Sequence, residues 1–259
     1  MEKIVHIVPL GYEIDRASKP FISEEGFRPN RVYLLTCLEE NGTPFDVLEK
    51  HLGYYKKVKK LLESKNIEVI PVNTILINLF DIITKISQII KKEQKLGSLV
   101  YINMSSAGRL TSVGATLAGM VHGVKVYYVE SDGYSDTPEK WEMHGQTIVN
   151  DLRIFFLEKF TLHIPDKNKL KILVEIYNRK KMNTKDIIDF LVELKVFGFE
   201  KKYSMLSRAQ KAAAIMKVSR RILSDLENSG YVKKIKNGRD NQYTLTQSGK
   251  YIAGISGLL

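Results

Sequence analysis

The stretch that decides the fold is VYINMSSAGRLTSVGATLAGMVHGVKVYYVES, Val100 to Ser131. An apolar run stops at Asn103, small polar residues and Arg109 follow, a helical pattern begins near Leu110, and a second apolar run, VKVYYVE, closes the segment. Neither run alternates strictly, and both are rich in Val, Ile and Tyr. That composition suits strands covered on both faces, joined by a right-handed helical crossover in a parallel sheet. Small residues at a strand end let backbone N–H groups approach an anion, and the helix that follows adds the positive end of its dipole. Arg109 supplies a planar fork suited to phosphate. The same residues equally suit a tight helix start with close packing, and both readings stand at this point.

Working outward, KIVHIVPLG (3–11), RVYLLTCL (31–38) and IEVIPV (67–72) read as further short strands. PFDVLEKHLGYYKKVKKLLESK (44–65) and LINLFDIITKISQIIKKEQK (76–95) carry apolar residues at helical spacing, and Gly97 is a stop signal. Alternating strands and helices predict a doubly wound, mainly parallel α/β domain of Rossmann-like form. Such sheets bind ligands beyond the carboxyl ends of their strands, where the strand order reverses. Two loops lie at such ends. PLGYEIDR offers Gly11, Tyr12 and Arg16; NMSSAGR offers Asn103, Ser105, Ser106, Gly108 and Arg109. Asn103 suits either fixing the loop or reading a base edge. Tyr12 suits base stacking or plain burial. Neither GxxxxGK[ST] nor GxGxxG occurs.

The chain has 259 residues, 44% hydrophobic, with a formal net charge of +11. Residues 1–165 carry 20 basic and 20 acidic side chains, whereas residues 166–259 carry 20 basic and only 9 acidic. The excess therefore lies in the last third, and a polyanion partner or a solvated lysine-rich surface would account for it. The single cysteine, Cys37, excludes an internal disulfide and a cysteine-rich zinc site. No long apolar run predicts a membrane span, no secretory leader is apparent, and a cytoplasmic location is expected. His6 and His122 read as structural, and neither a metal-ligand cluster nor a Ser–His–Asp order stands out, so no catalytic or metal residue is assigned.

Beyond Pro165 the pattern becomes helical. NKLKILVEIYNRKK (168–181) and NTKDIIDFLVELKVFG (183–198, with Thr184 as the expected cap) precede an alanine-rich helix starting at Ser207. The segment VSRRILSDLENSGYVKKIKNGRDNQYTLTQSGKYI then gives an apolar stripe at Val218, Ile222, Leu223 and Leu226, a terminating Gly230 and two alternating strands around Asn237-Gly238. Helices followed by a basic two-stranded ribbon predict a winged helix-turn-helix. Ser219, Arg220, Arg221 and Ser224 on the helix, with Lys234, Lys236 and Arg239 on the wing, are the expected contacts to double-stranded DNA. Contact with RNA or a protein is the alternative. Between the two domains, SDGYSDTPEKWEMHGQ reads as a loop, and TIVNDLRIFFLEKFTLHI as a helix or a strand-rich connection. The expected division is 1–135, a connecting segment 136–165, and 166–259.

INMSSAGRLTSVGATLAGMVHGVKVYYVES and PLGYEIDR together resemble the ligand loops and fifth strand of CARF domains, the CRISPR-associated Rossmann-like fold. The resemblance covers about residues 1–135, and the C-terminal arrangement is similar to that of archaeal regulators joining such a domain to a winged helix. Where the family often has Gly, this chain has Ala107. The resemblance implies a homodimer whose paired loops hold a symmetric effector, typically a cyclic oligoadenylate, with no other cofactor. Asn103, Ser105, Ser106, Gly108 and Arg109 carry over as the second ligand loop. A CRISPR-associated, ligand-responsive DNA-binding regulator is the leading implication. The alternatives are a ring nuclease cleaving the effector with Arg109 and Ser105, and a sensor whose winged helix recruits a protein.

Overall fold

The computed structural model describes residues 2–22, 27–40, 44–158, 162, 164–237 and 240–259. The chain divides into two compact units, Met1–Leu162 and His163–Leu259.

Among the described residues, the main sheet of the first unit has six strands in the order β3-β2-β1-β4-β5-β8. These are β1 (Ile4–Pro9), β2 (Arg31–Thr36), β3 (Glu68–Asn73), β4 (Leu99–Asn103), β5 (Lys125–Val129) and β8 (Ile154–Phe156). The pairings among the first five are parallel, and β8 joins β5 antiparallel. The strands are continuous apolar runs because the sheet is covered on both sides. Val5, Ile7, Tyr33, Leu35, Val100 and Ile102 pack with α3 (Leu79–Lys95) and α4 (Arg109–His122). Val8, Val32 and Leu34 pack with α1 (Asp15–Ile22) and α2 (Phe45–Glu63). The helices of the first half thus cover one face and those of the second half the other, and the order reverses between β1 and β4.

Close packing explains the small residues inside α4. A Cβ on Gly119 would lie 2.2 Å from Val126 Cγ2, and one on Gly114 would lie 2.9 Å from Ile82 Cγ2.

The segment after β5 folds onto this unit. A short hairpin pairs β6 (Gly133–Tyr134) with β7 (Thr147–Ile148), and α5 (Pro138–His144) lies between them, capped by Thr137. TIVNDLRIFFLEKFTLHI, which the sequence leaves open between helix and strand, supplies β7 and β8. Its buried anchor is Val149, packed with Tyr127 and Val129.

The second unit begins with α6 (Lys167–Arg179), capped by Asp166, followed by β9 (Met182–Asn183) and α7 (Thr184–Glu193). The cap of α7 is Asn183 rather than Thr184: its side chain accepts the Asp186 N–H while Asp186 accepts the Asn183 N–H. A reciprocal box of Ser207 and Gln210 starts α8 (Arg208–Val218). No break follows. A π-helical turn, Ser219–Leu223, carries the helix into α9 (Ser224–Asn228). Gly230, at φ +71°, closes it. The wing is β10 (Val232–Asn237) and β11 (Asp240–Leu245), with β9 as third strand, and α10 (Gln247–Ile255) ends the unit. Ile172, Leu173, Ile176, Ile187, Leu191 and Leu226 are among its buried core. This is a winged helix.

Candidate functional site

The two strand-end loops of the first unit meet at the point where the strand order reverses. Gly11 N–H donates to Ser106 O (2.8 Å), and Ser106 Oγ donates to Pro9 O (2.7 Å). A Cβ on Gly11 would sit 3.4 Å from Ala107 Cα, so the two backbones run side by side.

Asn103 is fully buried and holds this arrangement. Its Oδ1 accepts Ser105 N–H (2.9 Å) and Ser105 Oγ–H (2.6 Å), and its Nδ2 donates to Arg16 O (2.8 Å). Ser105 Oγ in turn accepts Val129 N–H (3.1 Å). Asn103, Ser105 and Ser106 therefore spend their side chains on loop shape. These contacts are those of the loop-fixing role.

Arg16 is a junction. Nη2 donates to Tyr128 Oη and Ser131 Oγ, both at 2.9 Å; Nη1 reaches Ser105 O at 3.4 Å and lies 3.7 Å from Glu13 Oε1. The guanidinium also covers the Tyr128 ring, 5.1 Å from its centroid. Glu13 is buried and accepts the hydroxyl (2.7 Å) and N–H (3.2 Å) of Thr147. Burial raises its carboxyl above the usual range, and Thr147 and Arg16 partly offset that. Asp15, also buried, accepts Val149 N–H (3.0 Å) and pairs with Lys19 and His144, each at 2.9 Å. Backbone bonds Gln146 N–H to Tyr12 O (2.7 Å) and Ile14 N–H to His144 O (3.1 Å) complete the seam. Sequence reading did not find Glu13, Asp15, Tyr128, Ser131, His144 or Thr147. Two acids flanking Ile14 at the start of α1, Glu13 and Asp15, were the available signal.

What remains open at the strand ends is the start of α4. Its cap, Gly108, supplies no side-chain hydrogen bond, and a Cβ there would meet nothing within 4 Å. The first-turn N–H groups of a helix lack intrahelical acceptors. Arg109 at this end is exposed, and its guanidinium meets no partner among the described residues. By contrast, Asn78, Asp166 and Ser207 cap the starts of their helices with side chains. To one side, Tyr12 is half-buried, with its ring 4.9 Å from that of His51 and 5.5 Å from that of Tyr54. It forms an aromatic wall with α2.

In the second unit, Arg220, Arg221 and Ser224 are exposed and Ser219 is half-buried. They lie on the π turn and the residue after it, where Ser224 N–H donates to Ser219 O. Lys233, Lys234 and Lys236 are exposed on β10. Arg239 lies outside the described residues. Because α8 runs unbroken into the π turn, the helix presented by this winged unit starts eleven residues before Ser219. The exposed residues Arg208, Ala209, Ala212, Ala213 and Met216 belong to it, and sequence reading did not include them.

No helix among the described residues is long and apolar enough to cross a membrane. None of their His, Cys, Asp and Glu side chains form a group of three or more able to hold a metal.

The architecture defines a two-unit protein, a Rossmann-like α/β unit followed by a winged helix domain. A family model described as HFX_2341_N-like, N-terminal, matches residues 4–134, half of the chain, and the protein belongs to that family. A second model, the DUF6293 C-terminal winged helix domain, matches residues 168–257. No curated protein matches the chain. Similar solved structures include protein VC1899 from Vibrio cholerae, 13% identical over 97% of this chain and 64% of that one, at a TM-score of 0.41. Can2 from Sulfobacillus thermosulfidooxidans, solved with cyclic tetra-adenylate, is 12% identical over 96% and 61%, at 0.40. Enterococcus italicus Csm6, solved with cyclic hexa-2′-fluoro-hexa-dAMP, is 14% identical over 88% and 56%, at 0.40. This chain spans less than two thirds of the length of each of these three.

Proposed function

We infer that the protein is a ligand-responsive DNA-binding regulator. Its α/β unit takes a cyclic oligoadenylate or related nucleotide at the ends of β1 and β4, and its winged helix binds double-stranded DNA within a homodimer. The observation that carries this reading is the start of α4: a helix end with no side-chain cap, a glycine with open space around it and an exposed Arg109 without a partner among the described residues, all on a hydrogen-bonded loop. Such a site suits phosphate oxygens. The sequence resemblance to CARF domains supports the ring nucleotide, and the basic second unit supports the nucleic acid. Effector binding regulates DNA affinity only to the extent that it favours one arrangement of the dimer over another.

The test is thermal unfolding of the full chain against cyclic oligoadenylates, linear oligoadenylates and dinucleotides. A ligand at a hundred times its dissociation constant stabilises by about 2.7 kcal/mol, roughly a 5–10 °C rise for a chain of this size. One ring size is expected to give that rise, and Arg109→Ala to abolish it without lowering the unliganded midpoint. A flat response across the panel rejects the nucleotide site. Appearance of linear products identifies the protein as a ring nuclease instead.

A further inference from the structure

From Ala209 to Met216 the outward face of α8 carries no charge, in the most basic part of the chain. Lys211, Ala214, Ile215 and Val218 follow i, i+3, i+4, i+7 spacing and turn inward, with Val218 fully buried. Ala209, Ala212, Ala213 and Met216 follow the same spacing on the opposite side and are exposed, Met216 by 52%. The two lysines of α8 are drawn off this face. Lys211 lies over the Tyr203 ring (5.4 Å), and Lys217 lies over the Phe199 ring (4.6 Å) and donates to Gly198 O (3.2 Å). Solvent-facing helix surfaces are ordinarily polar, so an apolar outward face needs a partner. Its surroundings name the chemistry. Arg208 precedes the face on the helix, exposed Arg220 and Arg221 follow it, and the unit's charge excess is basic. An apolar strip between cations matches a major groove, whose edges are phosphates and whose floor carries the C5-methyl groups of thymine.

We propose that Met216, with the methyl groups of Ala209 and Ala213, reads thymine C5-methyl groups in the major groove. This makes the outward face of α8 the specificity-determining surface, while Arg220, Arg221 and the wing lysines hold phosphates. The proposal rests on the DNA-binding reading above and adds what that reading leaves open, which bases are selected and by which residues. Met216 is the longest side chain on the face. The alanines let the helix backbone sit deeper in a groove about 12 Å wide than longer side chains would allow.

The experiment selects duplexes for the full chain from a random library and replaces each thymine of the selected site by uracil, which removes only the methyl. Covering one methyl is worth about 0.8 kcal/mol, so each contacted thymine is expected to cost about 4-fold in affinity as uracil. Met216→Ala, a change at an exposed position, is expected to remove the thymine–uracil difference at one position per half-site. Arg221→Ala is expected to weaken all sequences alike, lower the salt slope by about 1 and leave the thymine–uracil ratio unchanged. Duplex binding with a ratio of one at every position overturns the proposal alone. Absence of salt-dependent binding to any duplex overturns the DNA reading and this proposal with it, and turns the face of α8 toward a protein partner.

Discussion

His6 occupies the middle of the central strand with no exposure to water. Its ring stacks on Tyr101, 5.0 Å between centroids, and meets the edges of Phe21, Phe27 and Tyr127. Nδ1 lies 3.0 Å from Tyr127 Oη, and Nε2 has no hydrogen-bond partner among the described residues. Burial lowers its pKa from 6.5 to about 3. The fold therefore binds neutral His6, and the unfolded chain binds the extra proton first. Stability from this residue is complete above about pH 6.5 and falls as pH drops toward about 3. Glu13 acts in the opposite sense, since its raised pKa favours the folded state as pH falls. The expected outcome is a lower unfolding midpoint at pH 4.5 than at pH 7, and a clearly flatter profile in His6→Phe; equal slopes in the two proteins would show that His6 is protonated without cost. A histidine inside an apolar strand is legible in the sequence as structural. Its aromatic cage is not, because Tyr101 and Tyr127 come from strands about a hundred residues away.

At the scale of elements, α4 separates two uses of small residues that look alike in GRLTSVGATLAGMVHG. Gly119 is small because β5 and β4 lie against it, whereas Gly108 faces open space at an ordinary φ of −64°. Gly119→Ala is expected to destabilise the fold by about 1–3 kcal/mol through overpacking. Gly108→Ala is expected to cost only the smaller loss of replacing a glycine cap by alanine, roughly 0.5–1 kcal/mol, while weakening effector binding; a loss at the top of the Gly119→Ala range would make Gly108 a packing residue too. The five parallel strands were legible because strands buried on both sides are short unbroken apolar runs, and α2 and α3 because each exposes a charged face; α1 was not read, and α4 was legible only from its small and apolar residues between two strands. The continuity of α8 through the π turn was not. Ser219 followed by two arginines looks like a new helix start, yet Ser219 has helical angles, φ −59° and ψ −47°. The only trace of the wider turn is the adjacent pair Ile222-Leu223 in the apolar stripe, which a helix of regular pitch would also tolerate.

For the whole molecule, the division of charge was fully legible, since it requires only counting along the chain. It has a measurable consequence for the proposed DNA complex. Replacing Lys234 and Lys236, both exposed on β10, by Gln is expected to lower the slope of log affinity against log salt by about 0.9 for each lost phosphate contact. An unchanged slope would place the wing away from the duplex. The loops of the candidate cleft were legible by position but not by task. Asn103, Ser105 and Arg16 lie at the strand ends, as their positions in the sequence suggest, yet their side chains are committed to one another and to residues 128–131. The contacts of Arg16 with Asn103, Ser105, Tyr128 and Ser131 join residues 87 to 115 positions apart, beyond the reach of any local pattern.

The seam between the β1 loop and the β6–α5–β7 hairpin limits how this cleft can be moved or altered. Gly145, at φ +80°, passes so close to the loop that a Cβ would sit 2.4 Å from Tyr12 O, and Glu13 and Asp15 find their partners on the hairpin. Residues 11–16 are thus one half of a two-piece module whose other half lies more than a hundred residues downstream. A graft of the loop into another scaffold would arrive with two buried carboxylates lacking their donors, whereas a graft of loop and hairpin together would carry its own support. Natural exchange of this loop among relatives should obey the same rule, with changes at Glu13 or Asp15 accompanied by changes at Thr147, His144 or Val149.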